Sequence, residues 1–203
     1  MAISKKAIIE YGFRIFVSLA IFYPLGIAIA DRDWAFNSTI LINLFPLFGI
    51  LAFVLLWLHA ICGVFERWLR KYIDFDRFVS MTASTIFVCI ILHPLLLLIQ
   101  LNFNILPLFT FRPLYIWLAI IGWLLLLTYD IAKPLKKRYQ FFSRNWNKIL
   151  LISNIGFLIT FFHSLGLGDD LQSGPLRTVW IFYGITAILA IVWTYGIDRS
   201  WQQ

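Results

Sequence analysis

Three histidines stand in an otherwise apolar chain, at positions 59, 93 and 163. Neutral imidazole is a common metal ligand, and an ionisable side chain inside a membrane is costly enough to suggest function. Phe78 opens the apolar stretch that carries His93, and Ile149 opens the one that carries His163. Both stretches run in the same direction. At a rise of about 1.5 Å per residue, both histidines sit about 21–23 Å along their helices, at one level. His59 belongs to a stretch that Ser38 opens and that runs the other way. It falls about 31 Å from that end and cannot share a ligand with the other two. Two histidines at one depth on separate helices have the geometry of a bis-imidazole clamp on haem iron. Gly156 precedes His163 by two turns on the same face and Gly166 follows it, so small residues there would admit a flat porphyrin. Pro94, directly after His93, removes an amide donor and crowds the Ile90 carbonyl, which predicts a bend beside the ligand. Spacing alone leaves another reading open, in which His93 and His163 are separate buried histidines, each bonded to a helix carbonyl.

These side chains need apolar helices to hold them. The 203 residues are 61% hydrophobic and 13% charged, with mean hydropathy +0.84. An average soluble domain is about a quarter charged, so lipid must cover much of this surface. Six segments reach the roughly 20 residues that a span requires: 7–30, 38–61, 78–101, 113–132, 149–167 and 177–197. The connections are short, which predicts one all-α domain over 1–203, a six-helix membrane bundle with no evident repeat. The first segment is too long for the apolar core of a cleavable signal peptide. Cys62 and Cys89 fall at different depths, which argues against a disulfide. Of the 17 Lys and Arg residues, 14 fall on the side of the termini. Only Arg32, Arg112 and Arg177 fall on the other. Positive loops stay in the cytoplasm, so the expected topology is N-in and C-in, in the inner or plasma membrane. The same asymmetry accounts for the +7 charge through loops and lipid headgroups and leaves no case for nucleic acid. Trp34, Trp68, Trp146, Trp180 and Trp201 are expected in interfacial belts.

The stretch from Ile73-Asp-Phe-Asp-Arg-Phe to Leu92-His93-Pro-Leu-Leu resembles the third helix of the ferric reductase-like transmembrane superfamily. That superfamily includes ferric reductases, NADPH oxidases and the haem-flavin subunit serving periplasmic methionine sulfoxide reductase. Phe161-Phe-His163-Ser-Leu-Gly is similar to the second histidine of their fifth helix, with Trp146 where that helix begins. Tyr23-Pro24-Leu25 also fits the pattern. Two-haem members carry a further ligand about four helical turns before each outer histidine. Here those places hold Val79 or Ser80 and Ile149 or Leu150, none of which ligates iron. The resemblance therefore implies at most one haem b, on the outer side, held by His93 and His163. In single-haem relatives a flavin, FMN or FAD, occupies the inner part of the domain. Its phosphate would need cations, for which Arg14, Arg77, Lys133 and Arg144 are candidates near His59.

The expected function is transmembrane electron transfer from a cytoplasmic-side flavin, quinol or partner reductase to an external acceptor. The chain would then be the membrane component of an oxidoreductase. It shows no GxGxxG fingerprint and no soluble tail after Trp201, so no nicotinamide domain of its own is expected. A haem-free relative acting as a scaffold or assembly factor, and a small transporter, are the alternatives. Haem propionates near the outer interface would need cationic partners. Asp31 and Asp33 flank Arg32 and should neutralise it, leaving Arg112 and Arg177 as the candidates.

Overall fold

A computed structural model of the chain describes residues 4–32, 34 and 40–198. Asp33, Ser38 and Trp201, named above, lie outside the described residues. In chain order the helices are α1 (Lys5–Ala30), α2 (Ile40–Val64), α3 (Glu66–Leu69), α4 (Phe75–Gln100), α5 (Leu106–Thr110), α6 (Pro113–Leu135), α7 (Gln140–Arg144), α8 (Trp146–Leu167) and α9 (Gly174–Val192). A 3₁₀ turn, Asp169–Leu171, joins α8 to α9, and a π-helical turn, Trp193–Asp198, extends α9. All regular structure among the described residues is helical.

Six of these helices are long and apolar enough to cross a membrane: α1, α2, α4, α6, α8, and α9 with its π-helical extension. Short α3 and α7 lie in the connections of the basic end, and α5 lies at the opposite end. Ser4 starts α1 by accepting a bond from the Ala7 amide, and Asp74 starts α4 by accepting from the Arg77 amide. Between the spans, Arg70 forks onto both carboxylate oxygens of Asp76 at 2.8 Å and also reaches Glu66 at 2.8 Å. Cys62 and Cys89 are both buried and free, as their separate depths suggest.

Two antiparallel hairpins form the frame. One pairs α2 with α4, the other α6 with α8, and each pair is far more closely packed than the two hairpins are with one another. In the second, glycine brings the backbones together. A Cβ on Gly156 would stand 2.7 Å from the Leu125 Cβ and 2.8 Å from the Gly122 carbonyl. Close backbone approach through small residues is a general way to pack helices in lipid. Helix α9 seals one side of the bundle. Its Trp180 stacks on Phe53 at 4.0 Å, and its Tyr183 stacks on Trp57 at 4.0 Å. Phe53 also meets Phe157 and Phe161 of α8, so aromatic rings tie α2, α8 and α9 into one core. The opposite faces are apolar and exposed. On α1, Ile8, Tyr11, Ile15, Leu19 and Phe22 form an exposed helical stripe suited to lipid.

Trp180 corrects one expectation. It is 2% exposed and sits in the core, with its indole nitrogen donating to the Ser164 hydroxyl at 2.7 Å. Trp34 and Trp68 are exposed near helix ends, as belt residues are.

Two prolines shape the contacts between helices. Pro24 cannot donate to the Ala20 carbonyl, and the Tyr183 hydroxyl donates there instead, at 3.1 Å. Pro94 likewise frees the Ile90 carbonyl, which accepts from the Trp123 indole at 2.8 Å. Membrane helices tolerate proline where neighbours re-satisfy the backbone in this way.

Candidate cofactor site

His93 sits on α4 two turns before its end at Gln100, and His163 on α8 about one turn before Leu167. From the basic ends of these helices the two are about 27 and 26 Å along. The two histidines thus stand at similar distances along their own helices.

Each ring is oriented in the same manner. His93 Nδ1 donates to the Phe45 carbonyl of α2 at 2.7 Å, and His163 Nδ1 donates to the Tyr115 carbonyl of α6 at 2.9 Å. A carbonyl only accepts, so each Nδ1 carries the proton and each neutral ring presents Nε2 as a bare lone pair. Among the described residues, no protein group bonds either Nε2. Histidine and carbonyl are separated by the same length of chain in both hairpins. The two hairpins thus repeat one device, a repeat that the sequence reading does not find. Gly49 completes the first copy. A Cβ there would stand 2.9 Å from His93 Nδ1 and Cε1, so the ring lies directly on the α2 backbone.

His59 differs. Its Nε2 lies 2.5 Å from the Thr82 hydroxyl, whose own proton goes to the Phe78 carbonyl at 2.7 Å. That nitrogen is therefore already engaged as a donor, at the basic end of the bundle and away from the other two histidines.

The glycines expected to admit a porphyrin serve other contacts. Gly156 is consumed by the α6–α8 crossing, and Gly166 lies under the Tyr115 ring. The arginines also have structural tasks. Arg112, at φ +49 just before α6, donates to the Gly166 carbonyl, one of the unpaired carbonyls in the last turn of α8. Arg177 donates to the Leu171 carbonyl at 2.8 Å and the Gln172 carbonyl at 3.4 Å. Arg32 is neutralised by Asp170 across the bundle, in addition to its bond to the Ala28 carbonyl. Asp170 is thus a partner distant in sequence, beyond the adjacent acids expected, of which Asp33 lies outside the described residues.

Of the cations considered for a flavin phosphate, Arg14 is paired with Glu10 at 2.6 Å. Lys133 stands over the Tyr129 ring, 5.5 Å from its centroid. Arg144 lines a separate surface depression with Lys148. Lys133 and Arg144 thus line separate depressions.

Two imidazoles with Nδ1 fixed and Nε2 free are residues that could hold a haem iron, because the porphyrin would itself supply the other four nitrogens. Among the described residues no cluster of three or more His, Cys, Asp or Glu side chains could hold a bare metal ion. A ligating histidine usually gives its other N–H to a carbonyl or carboxylate, which fixes tautomer and ring orientation. The hydrogen bond to a helix carbonyl is therefore common to both readings of these residues.

Fold and composition define a multi-pass integral membrane protein built for the interior of a lipid bilayer. Comparison with protein-family models, curated proteins and solved structures returns no match.

Proposed function

We propose that the chain carries electrons across a membrane through one b-type haem held between His93 and His163. The observation behind this reading is the pair of level histidines whose Nδ1 atoms are spent on the Phe45 and Tyr115 carbonyls while both Nε2 atoms lack a partner among the described residues. When bound, haem iron supplies a reversible one-electron couple that no side chain here offers. The protein's part is positional. The carbonyls set the tautomers, Gly49 seats the first ring, and the surrounding apolar helices keep water away. Arg112 has five N–H donors, and its bond to Gly166 engages one nitrogen. The remaining donors, one turn outside His163, suit a propionate; Arg177 is a second candidate.

The 14-to-3 partition of cations supports cytoplasmic termini, with the histidine pair toward the outer face. Electrons would enter on the basic side and leave outside, to a small-molecule or protein acceptor. The absence of histidine at 79, 80, 149 and 150 supports a single haem. A pyridine haemochrome assay against protein concentration tests this. The expected ratio is one haem per chain. A ratio near two would overturn the assignment of ligands, and none would favour a haem-free scaffold.

A further inference from the structure

A groove of about 350 Å³ opens between α4 and α6 in the basic half of the bundle, lined by Ser84, Phe87, Val88, Asp130, Ile131 and Lys133. Above it, the Trp123 indole ties α6 to the Ile90 carbonyl of α4. Its mouth faces lipid, since Phe87, Val88 and Ile131 are 42%, 51% and 60% exposed. Asp130 lies five residues before the end of α6, about 7.5 Å inside it. Among the described residues its carboxylate accepts no hydrogen bond and closes no ion pair. Lys133, one turn on, stands over the Tyr129 ring instead. A carboxylate within a span requires a partner.

We propose that this groove binds the ring of a lipid-soluble hydroquinone, with Asp130 accepting a hydrogen bond from a ring hydroxyl, and that the hydroquinone is the electron donor. The second half of this statement rests on the haem reading. The chemistry of the groove selects the occupant. An acyl chain would offer the carboxylate nothing, and a phosphate would be repelled by it. A flavin nucleotide's phosphate would find Lys133 as the one cation lining the groove. A hydroquinone enters from lipid, lays a flat ring against Phe87 and supplies the missing donors. Val88 is five residues from His93, about 7.5 Å of helical rise. Oxidation of one hydroquinone to quinone releases two electrons and two protons. The two electrons would leave one at a time to the haem that His93 and His163 would hold, and from it to the external acceptor, which is the oxidant. The protons pass in turn through the Asp130 carboxylate to water at the basic interface.

An azidoquinone photolabel on purified protein tests the site directly, with Asp130→Asn and the groove-filling Val88→Trp as variants. Labelling of wild type should map to residues 83–88 and 130–133 and fall at least fivefold in both variants. A short-chain quinol should reduce the wild-type haem, and Asp130→Asn should slow this about tenfold while dithionite still reduces it fully. Labelling elsewhere, or variants that label and react as wild type, would overturn the groove. If dithionite yields no haem spectrum but the groove still labels, the haem reading fails and the binding site stands.

Discussion

At the scale of single residues, the carbonyls displaced by proline decide how the helices are stitched together. Pro94 makes the Ile90 carbonyl an orphan, and that much can be read from sequence. Its partner cannot, because Trp123 reaches it only after α6 has packed beside α4. Trp123→Phe should keep the ring and remove the donor, leaving a buried acceptor unpaired. The expected loss is about 1 kcal/mol, seen as a lower melting temperature in detergent. An unchanged melting temperature would mean that the carbonyl is satisfied in some other way. The histidines follow the same division. Their depth is legible from counting along the spans, whereas the Phe45 and Tyr115 carbonyls and the seat at Gly49 arise from contacts between helices. The arginines show the limit of local reasoning, because the pairing of Arg32 with Asp170 joins residues far apart in sequence.

At the scale of elements, the six spans are legible because a bilayer demands a long apolar run, and these runs end in charged or polar connections. The expected limits agree with α4 and α8 to within about three residues at their starts, within ordinary variation in helix boundaries. What each small residue does is not legible, since glycine is equally suited to a ligand, a crossing or a lipid-facing position. Gly156 lies at the crossing of α8 with α6, while an added Cβ at Gly12 meets nothing within 4 Å. Gly156→Ala should therefore destabilise the protein by about 1–3 kcal/mol through overpacking. Gly12→Ala should be neutral or stabilising by up to about 1 kcal/mol, from helix propensity. Thermal melts of the two variants in detergent check the contrast, and equal melts would show that the α6–α8 backbones do not meet there. Sequence places Trp180 near a span end, but the stack with Phe53 draws it into the core. A window of hydropathy carries no information about such lateral neighbours.

At the scale of the molecule, orientation and cofactor are linked, because the histidine pair lies toward the end that bears few cations. Reporter fusions at Phe109 and Asp170 should read as external, and fusions at Lys71 and Lys137 as cytoplasmic. Reversed signals would place the pair on the inner side and invert the direction of electron flow. The duplicated hairpin places two histidines alike: the same carbonyl-to-histidine contact is made once in each hairpin. Sequence conceals this repeat, since few side chains besides the histidines are shared between the copies, whereas the helix pairing is common to both. The most direct test of the account is the dithionite-reduced visible spectrum of purified protein, taken together with three alanine variants. Wild type and His59→Ala should show the sharp α-band of a low-spin bis-imidazole haem. His93→Ala and His163→Ala should each lose it or become high-spin. A wild-type spectrum without that band, or one that persists without either His93 or His163, would contradict the account.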